Sequence, residues 1–122
     1  MLQVKDLTFS YGKRKILENI NIKLNLKDRI SLLGPNGTGK STFLNLLMGR
    51  FIPQKGRVYL NEKQIQEISK RELAKEVSYI PQFHSPSFDF RVLDVVMMGR
   101  TAHLAYFESP EKKDIERAEY YL

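Results

Sequence analysis

The sequence predicts an α/β fold organised around a phosphate-binding loop, and three adjoining stretches carry that prediction. The central one is Gly34-Pro35-Asn36-Gly37-Thr38-Gly39-Lys40-Ser41-Thr42. Before it lies a short apolar run, Ile30-Ser31-Leu32-Leu33, which reads as a buried strand. After it comes Phe43-Leu44-Asn45-Leu46-Leu47-Met48, which reads as the apolar side of a helix. Strand, then G-x-x-x-x-G-K-[ST], then helix is the context a phosphate-binding loop requires. The glycines let successive backbone N–H groups converge on one anion. The helix N-terminus adds free donors and partial positive charge. Lys40 can reach terminal phosphates, and the Ser41 hydroxyl can ligate a magnesium ion.

The remaining elements follow in order. Leu2 to Phe9 alternates loosely and ends at Ser10-Tyr11-Gly12, a half-buried strand. From Ile20 to Leu26 apolar and polar residues alternate strictly, which predicts an antiparallel strand with one wet face. Lys27-Asp28 turns the chain into the strand that feeds the loop. The helix after the loop should run from about Lys40 to Met48 and stop near Gly49. Arg57-Val58-Tyr59-Leu60 predicts a short strand turning at Asn61-Glu62. Ser69-Lys70-Arg71-Glu72 is a capping-box pattern opening a helix to about Lys75. Val77 to Ile80 reads as another strand, ended by Pro81. Phe83 to Phe90 is an aromatic loop. Val92 to Met98 reads as a helix with Val92, Val95, Val96 and Met98 or Gly99 on one side, poorly capped by Arg91. Ser109-Pro110-Glu111 supplies cap, first-turn proline and first-turn acid for a last helix expected to run on to Leu122.

Composition bounds the rest. The chain has 122 residues, a size suited to one small domain or part of a larger one, and its 42% hydrophobic content argues against disorder. With no cysteine, disulfides and thiolate metal sites are excluded, and the two histidines make no credible metal site. The start shows no charged-then-apolar leader, and no apolar stretch approaches a membrane span, so a cytoplasmic, soluble chain is expected. The net charge is +6, and residues 1–60 hold eleven Lys and Arg against three Asp and Glu. That excess lies in the half bearing the loop, where it favours an anionic ligand such as a nucleotide. Nucleic acid is not expected as a partner, because neither an aromatic-plus-basic RNA signature nor a paired Cys/His finger is present.

These residues resemble the nucleotide-binding subunits of ATP-binding-cassette (ABC) transporters, whose fold is that of a P-loop NTPase. Three motifs in order carry the resemblance, which spans essentially the whole chain: Tyr11 after the first strand, Gly34 to Thr42, and Tyr79-Ile80-Pro81-Gln82. It implies ATP and Mg2+ as ligands, held by Tyr11, Gly34, Pro35, Asn36, Gly37, Thr38, Gly39, Lys40, Ser41 and Thr42. Tyr11 then stacks on the base. Gln82 completes magnesium coordination beside Ser41 and senses the terminal phosphate; Lys40 and Gln82 are the candidate catalytic residues. The stretch Val95 to Leu104 is similar to that of importers for iron chelates, siderophores, haem or cobalamin, and also to that of zinc and manganese importers. In such subunits residues 83–104 would face a membrane permease, making Phe83, Phe88, Phe90, Arg100 and His103 candidate contacts. The protein would then lie on the inner face of the membrane, its full-length form pairing as an ATPase dimer.

The chain also departs from the pattern. Between Gly99 and Leu122 there is no Gly-Gly signature and no apolar strand ending in Asp-Glu. The resemblance therefore implies that residues 1–122 are the N-terminal portion of a single ABC ATPase domain: an antiparallel β subdomain plus the start of the parallel core, incomplete. Such a chain is expected to bind ATP weakly without turning it over, and to leave Ile30 to Leu33 as an open apolar edge. Two other readings are a soluble ABC-type ATPase without a permease and a small nucleoside kinase. Strand-rich sequence ahead of the loop disfavours the kinase.

Overall fold

Val4, Leu7 and Phe9 are all buried, although alternation would put Val4 and Leu7 on opposite faces. The first strand, β1 (Leu2–Tyr11), resolves this with a bulge: its register shifts between Val4 and Leu7, and Asp6 takes φ 49°. Asn21 holds the bulge, its Oδ1 accepting from the Asp6 N–H at 2.9 Å and its Nδ2 donating to Asp6 Oδ1 at 3.1 Å. The loose alternation of this segment thus reflects irregular pairing, and the register against the second strand shifts again between Leu7 and Phe9 and between Phe9 and Ser10. The computed structural model describes residues 1–82, 89–104 and 109–122 of the chain. These form two compact units, Met1–Leu73 and Ala74–Leu122.

The first unit is a four-stranded antiparallel sheet in the order β2-β1-β3-β4 with one helix on its apolar side. β2 (Arg14–Leu24) returns from β1 through Gly12-Lys13, pairing Tyr11 with Arg14 and Leu2 with Leu24. It starts earlier and ends sooner than the alternation predicts, because Asn25 to Asp28 fold into a turn in which Asp28 Oδ2 accepts from the Asn25 N–H at 2.7 Å. β3 (Lys55–Leu60) pairs with the other edge of β1, with Val58 opposite Val4. It turns at Asn61 (φ 47°) and Glu62 (φ 70°) into β4 (Lys63–Gln64). A two-residue turn with both φ positive matches the twist of a hairpin. The helix α1 (Lys40–Leu47) drives Phe43 and Leu46 into a core with Val4, Leu7, Phe9, Val58 and Ile65.

α1 ends in a Schellman turn. The Arg50 N–H donates to Asn45 O at 2.9 Å and the Gly49 N–H to Leu46 O at 3.1 Å, with Gly49 at φ 65°. The helix α2 (Lys70–Glu76) opens on the predicted capping box. Ser69 Oγ accepts from the Glu72 N–H at 3.2 Å, and Glu72 Oε2 accepts from the Ser69 N–H at 3.2 Å.

Two predicted strands are absent. Ile30 to Leu33 carries no strand pairing, and Ile30 and Leu33 are 60% and 88% exposed. Val77 to Ile80 is likewise irregular, with Ile80 92% exposed. A short apolar run becomes a buried strand only when neighbours satisfy both of its edges, and among the described residues none pairs with either segment. The sheet that forms is therefore wholly antiparallel.

The second unit contains α3 (Val92–Met98), a short 3-10 turn at Thr101–His103, and α4 (Lys112–Tyr120). The predicted apolar stripe on α3 faces outward: Val92, Val95 and Met98 are exposed. Arg91 gives no side-chain cap and instead forks onto Asp94, Nε to Oδ2 at 3.0 Å and Nη2 to Oδ1 at 3.1 Å. α4 starts later than Ser109-Pro110 suggests. Its cap is Glu111, in a capping box with Asp114, and it stops at Tyr120 instead of running on to Leu122.

Candidate phosphate-binding site

Gly37 and Gly39 take φ 82° and 95°, which bends the loop back on itself before α1 begins. Gly39 also has no space for a side chain: a Cβ there would stand 2.6 Å from Ile16 Cγ2 of β2. The loop is thus seated against the sheet, and Gly39 caps α1 with its backbone alone. No side chain caps the helix and no acidic residue lies in its first turn. The N–H groups of that turn have no intrahelical acceptor. They offer donors and partial positive charge to an anion.

The loop is braced from within. Lys40 Nζ donates to Gly34 O and to Pro35 O, each at 2.7 Å, and Thr38 Oγ1 donates to Pro35 O at 2.9 Å. The lysine charge is thereby held over the concave side of the loop. Gly34, Pro35, Asn36, Gly37, Thr38 and Ser41 are exposed, whereas Thr42 is buried beneath them. Ser41 presents its hydroxyl at the helix start, where it could give a metal one oxygen ligand. Among the described residues there is no cluster of His, Cys, Asp or Glu that could hold a metal by itself. A magnesium ion would fit here only as the companion of bound phosphates.

Tyr11 joins this site through a contact the sequence did not advertise. Its hydroxyl lies 3.3 Å from Thr42 Oγ1, so the end of β1 meets the first turn of α1. The Tyr11 ring packs edge-on against Phe9, with centroids 5.0 Å apart, and against Phe51 at 6.1 Å. Tyr11 is still 50% exposed. Tyr11 and the Gly34 to Thr42 stretch are thus brought together. Gln82 belongs to the second unit and is exposed.

Beside the loop lies a cavity of about 260 Å3, with Leu17, Ile20, Ile22, Leu32, Leu33 and Phe43 on its apolar side and Gly34, Thr38, Gly39 and Lys40 of the loop on the other.

Of the proposed permease contacts, Phe83 and Phe88 lie outside the described residues. Phe90 and His103 are exposed. Arg100 instead turns onto α4. Its Nε and Nη2 donate to Asp114 Oδ1 at 3.0 and 2.9 Å, and Asp114 is 1% exposed. The Arg100 guanidinium holds the Asp114 carboxyl below the ordinary carboxylate range, against the opposing effect of burial. No spacing or periodicity in the sequence marks this pair, because the two residues are joined only by the packing of α3 on α4.

A sheet-backed glycine loop feeding an uncapped helix, with a lysine folded over it, is the geometry of a phosphate-loop protein. The chain belongs to the ABC transporter family, whose profile its residues 17–119 match. It is 37% identical over 119 residues to an iron chelatin transport ATP-binding protein of Helicobacter pylori, covering 97% of this chain and 47% of that protein. It is 39% identical over 103 residues to a hemin import ATP-binding protein of Pseudomonas putida, covering 84% and 40%. A metal-chelate type ABC transporter solved in an inward-facing conformation superposes with a TM-score of 0.73 at 33% identity, covering 94% of this chain and 40% of that one. The chain spans about half the length of the curated relatives it matches, or less.

Proposed function

We propose that residues 1–122 are the N-terminal portion of an ABC ATPase domain that binds ATP and serves an importer of metal chelates. The observation that carries the reading is the braced loop from Gly34 to Thr42 ahead of the uncapped α1, with the Lys40 charge held over it. In this reading the first-turn amides and the loop N–H groups take the phosphates. Lys40 exchanges its two carbonyl acceptors for phosphate oxygens. Ser41 would give a magnesium ion one oxygen ligand, the ion would neutralise phosphate charge, and the family resemblance assigns Gln82 a further oxygen. The exposed Tyr11 ring receives the base. Phosphoryl transfer is mainly positioning and charge stabilisation, so these residues supply part of what hydrolysis requires. The 122-residue chain is expected to bind nucleotide and not to turn it over.

The names of the relatives support iron chelate or haem as the imported solute class. An importer subunit of this kind would sit at the cytoplasmic face of the membrane, against a permease, and pair with a second ATPase copy. None of the helices described is long and apolar enough to cross a membrane.

The test is titration calorimetry of the chain with Mg–ATP. Lys40→Ala removes a charge-assisted contact and is expected to weaken binding by about tenfold or more. Equal affinity of wild type and Lys40→Ala overturns the proposed site. A steady-state phosphate-release assay tests the second expectation, and Lys40-dependent turnover by the chain alone overturns it.

A further inference from the structure

The end of β1 is gripped by a segment to which the phosphate site assigns no part. The Schellman turn at Gly49 sends the chain from α1 back to Ser10 and Tyr11, where Phe51 and Gln54 meet it. β3 pairs with β1 only as far as Thr8 opposite Lys55. Beyond that point the Gln54 side chain does what a strand backbone would do. The Ser10 N–H donates to Gln54 Oε1 at 2.8 Å, and Gln54 Nε2 donates to Ser10 O at 2.9 Å. The Gln54 N–H also donates to Thr8 O at 3.2 Å. Phe51 stacks on Phe9, with centroids 5.6 Å apart and planes within 6°, and meets the Tyr11 ring edge-on.

β1 pairs with β2 to its end, Ser10 opposite Lys15 and Tyr11 opposite Arg14, but a strand edge without a partner frays. This one is clamped through both backbone groups of Ser10, immediately before a half-exposed ring. The ring itself is restrained by Phe9, Phe51 and the Thr42 hydroxyl. A flat surface that must bind another flat surface gains affinity when its orientation is fixed beforehand, since less freedom is then lost on binding. Gln suits the clamp because one side chain supplies both a donor and an acceptor; Glu lacks the donor and Leu lacks both.

We infer that Gln54 and Phe51 are positioning residues that fix the Tyr11 ring as a platform for the nucleotide base. This rests on the reading of Tyr11 as the base-stacking residue. Both residues act through Tyr11 and the strand that carries it, so their removal should weaken recognition of the base and spare recognition of the phosphates.

The experiment compares two ligands on the 122-residue chain in the presence of magnesium: ATP, and inorganic tripolyphosphate, which keeps the phosphates and lacks the base. Wild type should bind ATP more tightly than tripolyphosphate. Gln54→Leu should weaken ATP binding by about fivefold and leave tripolyphosphate within about twofold, the scale of one aromatic contact. An unchanged ATP affinity overturns the inference. Should Gln54→Leu lose both ligands in parallel, Phe51→Leu decides, because it keeps apolar contact while removing the ring edge. Selective loss of ATP in that variant supports the inference, and an undiminished preference for ATP overturns it. If wild type binds both ligands equally, the reading of Tyr11 itself fails and the inference fails with it, an outcome distinct from a preference that exists and ignores Gln54.

Discussion

The units Met1–Leu73 and Ala74–Leu122 are held together by different physics. In the first, Val4, Leu7, Phe9, Phe43, Leu46, Val58 and Ile65 form an apolar core with no titratable group in it. In the second, the buried residues among those described are Ala118 and Asp114, and Arg100, just past α3, is ion-paired to Asp114 of α4. Apolar burial is non-directional and grows with area, so the first unit tolerates acid and depends on volume. An ion pair on a buried carboxylate depends on charge state and geometry, so the second unit should respond to pH and tolerate changes in side-chain size. The same chain thus contains one unit that volume specifies and one that charge specifies.

The largest effect should come from emptying the core of the first unit. Leu46 is fully buried under the sheet, and Leu46→Ala is expected to cost about 2–5 kcal/mol in urea denaturation. A loss below about 1 kcal/mol would mean that the site collapses freely, and would break the contrast at its stronger end.

A smaller, local effect should follow acidification. The Asp114 carboxyl is held below its ordinary range, so it stabilises the fold above the unfolded-state value, roughly 4. That contribution is lost as pH falls through the lower folded-state value. Amide protection, taken relative to the intrinsic exchange rate at each pH, should therefore fall in α3 and α4 on acidification before it falls in β1. Asp114→Asn should bring the same loosening at neutral pH and abolish its further pH dependence. Equal acid sensitivity in β1 and α4 would remove the distinction between the units.

The smallest effect belongs to a local cap. Ser69→Ala removes the hydroxyl that accepts from Glu72 and is expected to cost about 1 kcal/mol, read as faster exchange across α2. This helix runs across the boundary between the units. Whether its loosening travels toward the sheet or toward α3 sharpens the comparison by showing which unit the helix answers to.

The same contrast explains what could be read from the chain. The loop, α1, the strand at Val58 and the Ser69–Glu72 cap were legible because each depends on residues close in sequence. The bulge at Asp6 appeared only as broken alternation, since its cause, Asn21, lies on the next strand. Ile30 to Leu33 has a strand's composition, yet pairing is a property of neighbours, and no described strand lies against it. Arg100 could be noticed but not placed: its partner is a carboxylate on another helix, and nothing local distinguishes Asp114 from other acids. Within the candidate site, Tyr11 and Lys40 were visible, whereas Gln54 and Phe51 had no motif to announce them.

Thr42 belongs to the first turn of α1, yet its hydroxyl meets the Tyr11 hydroxyl at the end of β1. That contact sets a fixed span between the aromatic surface and the helix amides. In the proposed site a ligand is therefore gauged by length as well as by its two ends. The loop amides cradle the phosphates nearer the sugar, so a nucleotide that loses only its terminal phosphate still reaches from base to loop, whereas one cut back to a single phosphate does not.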